Sequence, residues 1–179
     1  MGTRGNVVVQ DRGENLVRIY RQFDSYLSGM GAGLKEMLGE QPRIVNGYGS
    51  GDDSPLAFNG MGCLAAYVIA HLKDGIGNIY IQVVDEEPDG LFIEYVYTLY
   101  ESGGKQPEVA FGYKPGELFI RVETIDWDEE KKNAETVKRA DGTTYESVRY
   151  PYKTIYDGPF KEFDPVALDK TEREEEVPA

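Results

Sequence analysis

A chain of 179 residues with 40% apolar and 12% aromatic side chains has enough material for one domain with a sizeable core, and too much for a disordered chain. Its formal charge of −13 excludes nucleic-acid binding through a basic surface, because Lys and Arg on phosphates dominate that affinity. Cys63 is the only cysteine, which excludes an internal disulfide and a cysteine-rich zinc site. No apolar run approaches the roughly 18 residues of a membrane span, and no signal-peptide pattern opens the chain. Position 6 is Asn, where myristoylation needs Ser or Thr, so the expected location is the cytoplasm.

In chain order, Val7-Val8-Val9 and Leu16 to Phe23 flank Asp11 to Asn15 as a β-hairpin. Alternation puts Val17, Ile19, Arg21 and Phe23 on one face of the second strand. Arg18, Tyr20 and Gln22 then form a polar-aromatic stripe on the other. Asp24 or Ser25 can cap a helix carrying Leu27, Met30, Leu34, Met37 and Leu38, with Gly39 as its stop. Gly29, Gly31 and Gly33 sit in its first half, where each costs about 1 kcal/mol relative to Ala. Close backbone approach, or a helix that begins nearer Gly33, has to offset that cost.

Pro42 to Asp53 reads as a glycine-rich connection. A second helix begins at Ser54-Pro55 or at Asn59, with an apolar face of Met61, Leu64, Ala65, Val68, Ile69 and Leu72, and ends by Gly75. Its stripe of Gly62, Ala66 and Ala70 suits close packing by another backbone. From Gly77 the period switches to two. Ile79–Val84, Leu91–Tyr100, Val109–Tyr113 and Leu118–Ile125 read as strands of an antiparallel meander. Asp141-Gly142 joins Ala134–Ala140 to Thr143–Tyr150 as a hairpin that projects as an arm or extends the sheet edge.

The expected fold is therefore α+β, with an antiparallel sheet of five to seven strands and two helices on one face. It forms one domain over residues 1–163, with a hairpin arm within 126–158, and a disordered acidic tail over 164–179. Acidic runs such as Asp85-Glu86-Glu87 and Glu174-Glu175-Glu176 read as solvated faces or tail.

No catalytic constellation stands out. His71, the only histidine, has no nucleophile motif and lies two turns from Cys63 on the same helix. Asp52-Asp53 is the best-placed carboxylate pair for a metal- or acid-dependent hydrolase, while no cofactor and no metal site is expected. Ser28 to Gly33 and Gly47 to Gly51 loosely resemble anion cradles, but neither is a Walker loop and the first lacks a βαβ context. Their glycines serve either phosphate binding or helix packing.

The company they keep favours a ligand. Arg4, Arg18 and Arg21 surround Tyr20, Asp24 and Tyr26 ahead of the helix start, and arginine forks suit phosphates as tyrosines suit bases. Arg21 with Asp24 is equally explained as a salt bridge at the strand–helix corner. The candidate ligand-binding residues are thus Arg4, Arg18, Tyr20, Arg21, Asp24, Tyr26, Gly29, Gly31 and Gly33.

The opening Met1-Gly2-Thr3-Arg4-Gly5, followed by Ile19-Tyr20-Arg21-Gln22-Phe23-Asp24-Ser25-Tyr26 and a downstream glycine, resembles a family of small phage and mobile-element proteins. These begin Met-Gly/Ala-Thr-Arg and carry an aromatic-Asp-Gly-Tyr segment. Here Ser25 replaces the glycine, and Gln22-Phe23 stands where His-Trp is common. The match covers about the first 75 residues of the chain. The resemblance implies a phage context in a host cytosol, where small acidic proteins block defence and some sequester nucleotide immune signals without cleaving them.

The leading expectation is a non-enzymatic protein that captures a small phosphate-bearing ligand such as a cyclic nucleotide. The alternative is an acidic interaction module, a DNA mimic or an inhibitor of a host enzyme. A hydrolase is third. Exposed strands leave homo-oligomerisation open.

Overall fold

A computed structural model describes residues 2–45, 56–84, 92–102, 116–127, 133–138, 142–149 and 151–175. Strands β1 (Gly5–Asp11) and β2 (Glu14–Arg21) form the expected hairpin, turning through Arg12 and Gly13 at φ +53° and +84°. Positive φ at both turn residues matches the twist of the flanking strands. A π-turn at Leu27–Gly31 leads into α1 (Ala32–Leu38), then come β3 (Arg43–Val45), β4 (Ala57–Asn59) and α2 (Gly60–Leu72). Next are β5 (Ile79–Gln82), β6 (Tyr95–Glu101) and β7 (Gly116–Ile125), the hairpin β8 (Asn133–Lys138) and β9 (Thr144–Arg149), β10 (Tyr152–Pro159), a 3-10 turn at Phe160–Glu162, and α3 (Pro165–Glu175).

The protein is α+β, but its sheet is mixed, which corrects the antiparallel expectation. It has eight strands in the order β4-β3-β7-β6-β1-β2-β5, with β10 also on β7. Strand β1 runs parallel to β6, and β3 parallel to β4, while the other pairs are antiparallel. The cause lies in the connection. After β2 the chain passes through two helices and three further strands before β6 returns beside β1, and a crossover of that length permits parallel pairing. Strands β3, β4 and β10 were not expected as strands, because they are short or carry exposed polar residues and lack a clean alternation. The expected strand at Val109–Tyr113 and the start at Ser54-Pro55 lie outside the described residues.

One face of the sheet holds the core. Val7, Val9, Ile19, Tyr97, Leu99, Ile120 and Val122 pack against Leu34 and Leu38 of α1 and Met61, Leu64, Ala65 and Val68 of α2. Each such fully buried aliphatic contributes about 1.5–3 kcal/mol against an exposed reference. The helical period therefore located α2's buried side correctly. The small stripe did not behave as expected: Gly62, Ala66 and Ala70 are not buried, and nothing lies within 4 Å of a Cβ placed on Gly62.

A third helix stands where a disordered tail was expected. Asp164 Oδ1 accepts from the N–H groups of Val166 and Ala167 at 3.1 and 3.0 Å, and Pro165 takes the first helical position. Two acids of this helix are used. Ser28 Oγ donates to Asp169 Oδ2 at 2.9 Å, and Tyr95 Oη donates to Glu172 Oε2 at 3.0 Å. Burial first, then the Glu172 carboxylate, pushes the Tyr95 phenol above its ordinary pKa. The segment beyond Phe163, expected to be disordered, is therefore helical over Pro165–Glu175. Strands β8 and β9 pair with each other and with no other described strand. β10, within the span expected as an arm, is instead part of the main sheet. No described helix is long and apolar enough to cross a membrane.

Candidate ligand-binding face

The strand–helix corner that drew attention in the sequence does not gather its residues. Arg18 and Arg21 are three apart on β2, so the pleat sends them to opposite faces. Arg21 lies on the helix side, its Nη1 4.0 Å from Met30 Sδ. Arg4 precedes β1, where its N–H donates to Glu94 Oε1 at 3.2 Å and its carbonyl accepts from the Glu94 amide at 2.9 Å. Asp24 is exposed with φ +56°, the left-handed conformation that Asp tolerates better than most residues. Neither Asp24 nor Ser25 caps the helix: Tyr26 occupies that position with no side-chain bond.

The three glycines divide between packing and empty space. A Cβ on Gly29 would sit 2.5 Å from the Asp24 carbonyl oxygen and 3.0 Å from the Tyr26 ring, so the turn closes only on glycine. A Cβ on Gly31 would press on Pro165 at 3.0 Å, which makes Gly31 the seat of α3. Gly33 meets nothing. The Ala32 N–H donates to the carbonyls of Leu27 and Gly29, so the first amide of α1 is taken within the continuous π-to-α segment. A phosphate cradle at Gly31 to Gly33 lacks the free donors it needs.

The other face of the sheet is built differently. Backbone register places Val8, Arg18 and Gln82 in one cross-strand row over β1, β2 and β5, with Asn6, Tyr20 and Tyr80 in the next. All six point away from the helices by alternation. Asn6 is 1% exposed and Tyr20 7%, and the Tyr20 and Tyr80 rings lie 6.0 Å apart at 35°. Within this grid three buried polar atoms have no hydrogen-bond partner: Asn6 Oδ1, Arg18 Nε and Gln82 Oε1. Asn6 lies diagonal to Arg18, a spacing of about 7–8 Å between Cα atoms.

Continuing along the Arg18 row, Val8 is opposite Thr98, Thr98 opposite Arg121, and Arg121 opposite Asp157. Arg121 Nε donates to Asp157 Oδ2 at 2.9 Å, and the Tyr100 hydroxyl donates to Asp157 Oδ1. Partial burial, then the Asp157 contact, pushes the Tyr100 phenol up to about 12. This end of the face is internally satisfied. The Arg18 end is not.

Of the expected ligand residues, then, Arg18 and Tyr20 share this face. Asn6, Tyr80 and Gln82 join them without having been anticipated. The available signal was the recurrence of polar or tyrosine side chains (Asn6, Arg18, Tyr20, Tyr80, Gln82) at alternate positions of largely apolar strands, together with the pairing of β5 to β2, which a single sequence does not reveal.

Elsewhere, a cleft of about 550 Å³ is lined by Arg43, Glu117, Phe160 and Lys161. Lys161 is paired with Glu117 at 2.6 Å and Lys35 donates to the Phe160 and Lys161 carbonyls, so the rim of the cleft is already committed. His71 Nδ1 lies 2.9 Å from the Tyr67 carbonyl, and its ring stacks at 3.8 Å on the Tyr67 ring, a local helix contact. Among the described residues no three His, Cys, Asp or Glu side chains gather as a metal site, and Asp52 and Asp53 lie outside those residues.

The fold and this face define an α+β domain whose mixed sheet is packed by helices on one side and carries a partly unsatisfied polar grid on the other. No known protein family matches the chain, and neither a curated protein nor a solved structure does.

Proposed function

We propose that the protein is a non-enzymatic binding protein that takes a small phosphate-bearing ligand on the outer face of its sheet. The observation that carries this is the orphaned set Asn6 Oδ1, Arg18 Nε and Gln82 Oε1. A buried polar group without a partner costs about 1–3 kcal/mol, so three on adjacent strands are a place where a ligand would be stabilised by what the free protein lacks. Arg18 supplies a charge-assisted donor for an anionic oxygen. The primary amides of Asn6 and Gln82 can present either a carbonyl or an NH2, as the edge of a heterocyclic base requires. Tyr80, 48% exposed, offers a ring face beside them, with the buried Tyr20 ring 6.0 Å behind it.

A nucleotide meets all three demands, and a cyclic nucleotide meets them in small compass. Capture without turnover fits a set that binds but includes no nucleophile or base. In a phage setting, as the opening motif suggests, the consequence of such capture would be removal of a nucleotide signal from the host cytosol. Arg4, Arg21, Asp24 and Tyr26 have no part in this version of the site.

The test is mass spectrometry of whatever stays with the folded protein, followed by calorimetry against a panel of linear and cyclic nucleotides. Arg18→Met keeps the aliphatic stem and removes the guanidinium. It should weaken binding about 10- to 100-fold, as loss of one charge-assisted hydrogen bond does. Equal binding by Arg18→Met, or no affinity better than ~1 mM for any panel member, would end the proposal.

A second reading as an acidic interaction module draws on the charge of −13 and on the hairpin β8–β9, which pairs only with itself among the described strands. Salt-sensitive retention of a host protein, with no small molecule held, would select it.

A further inference from the structure

Strand β5 ends the sheet, and its outer edge has no described partner. Edge strands are normally guarded by charge, proline or a bulge, because an open row of N–H and C=O groups invites pairing. This one has no such guard. Gly75 to Val84 reads Gly-Ile-Gly-Asn-Ile-Tyr-Ile-Gln-Val-Val, ten residues without a charge or a proline, in a chain whose net charge is −13. Its side chains are also uncovered: Tyr80 is 48% exposed, Ile81 58% and Val83 61%, and Ile76 stands fully in solvent.

We infer that β5 pairs with β5 of a second copy of this chain, joining two sheets into one across a two-fold axis. The occupant follows from charge. Two molecules this acidic repel wherever their carboxylates meet, and Gly75 to Val84 is an uncharged stretch on which they can touch, bounded by Asp74 on one side and Asp85-Glu86-Glu87 on the other. Antiparallel pairing of a strand with its own copy is self-complementary, so the contact closes at two chains. In a register centred on Ile81, Ile81 faces Ile81 of the partner subunit, and Val83 reaches the partner's Ile79. The same register sets Tyr80 of the partner subunit beside Gln82 on the outer face, so the partner adds a ring to the ligand site. That last point rests on the proposed ligand reading, whereas the pairing itself does not.

Sedimentation velocity of the full chain without added nucleotide tests the pairing alone. At ~100 μM, a dissociation constant of ~10 μM leaves most chains paired, and the expected mass is that of two chains. Ile81→Lys, which sets two charges against each other across the axis, should raise the dissociation constant at least ~100-fold and leave mainly single chains at the same concentration, as edge lysines do in natural sheets. Val166→Lys, an equally exposed apolar position on α3, should leave the pair intact. A second route does not depend on Ile81→Lys folding well: Ile81→Cys in a Cys63→Ala background should give a disulfide-linked dimer on oxidation. A single-chain mass for the unaltered protein, a pair that survives Ile81→Lys, or failure of the Ile81→Cys chains to cross-link would each overturn the inference. Because calorimetry with Arg18→Met reads the ligand site separately, failure of one proposal is distinguishable from failure of the other.

Discussion

The two faces of the sheet both carry buried side chains, yet they are chemically unlike: the helix side is closed throughout, whereas on the outer side Asn6, Val8, Tyr20 and Thr98 are buried and Tyr80 is 48% exposed. On the helix side, Val7, Val9, Ile19, Leu99, Ile120 and Val122 bring no side-chain polar atom to satisfy, Tyr97 Oη donates to the Ser25 carbonyl at 2.8 Å, and the buried Ser25 Oγ is the orphaned atom among the described residues there. On the outer side, Asn6, Tyr20 and Thr98 are less than 10% exposed, but Asn6, Arg18 and Gln82 carry polar atoms with no partner. Burial by itself therefore does not distinguish structure from function in this molecule. What differs is the number of buried polar atoms without a partner among the described residues, three on the outer face against Ser25 Oγ on the helix side. A face with few unsatisfied polar atoms has little to gain from a further group, whereas a cluster of them is where a bound group would add most.

The largest effect that can test this contrast is on the helix side. Leu99→Ala should cost about 2–5 kcal/mol, read as a fall in the urea midpoint with an unchanged slope, because a fully buried Leu leaves both lost transfer energy and a cavity. Nucleotide affinity of the folded fraction should not move. If affinity fell with stability in step, the two faces would be energetically one unit and the contrast would be lost.

Next in size comes the strand–helix corner, which separates a ligand at the corner from a ligand on the face. Gly29→Ala places a methyl 2.5 Å from a backbone carbonyl that cannot swing away, at a cost of about 1–3 kcal/mol. Gly33→Ala meets nothing and should stabilise by roughly 0.5–1 kcal/mol through helix propensity. Thermal unfolding of the two variants reads opposite signs from the same substitution on one helical segment. Nucleotide affinity unchanged in Gly33→Ala supports the face, and its loss would return the ligand to the corner.

How much of this was legible beforehand differs by kind of information. Period-2 and period-3.6 patterns located β1, β2, β7 and the buried side of α2, because those signals are local. The parallel pairing of β1 with β6 was not legible, since strand direction depends on a connection that passes through elements lacking strong patterns, β3 and β4 among them. Helix α3 was hidden by its acids: Asp169 and Glu172 look solvating in sequence, and only the fold brings Ser28 and Tyr95 to them. For the site, alternation on β2 already assigned Arg18 and Arg21 to opposite faces, and following that rule would have kept them from one cluster. Gln82 and Tyr80 needed the register of β5 on β2, which requires the third dimension.

The smallest expected effect on stability is the most discriminating. Gln82→Met keeps the side chain's length and volume but removes the amide. Where a buried polar atom lacks a partner, its replacement by an apolar group of the same shape is neutral or stabilising, so unfolding free energy should change by about 0 to +1 kcal/mol. Had Gln82 been serving the fold through a hydrogen bond, the same change would cost roughly 1–3 kcal/mol instead. Binding should move the other way: affinity for whichever nucleotide the protein retains should drop about tenfold, the worth of one hydrogen bond to the ligand. A gain in stability joined to a loss of affinity is what an outer face built for a missing partner requires. A loss of both, in contrast, would make Gln82 an ordinary structural residue and leave Arg18 without a neighbour in its role.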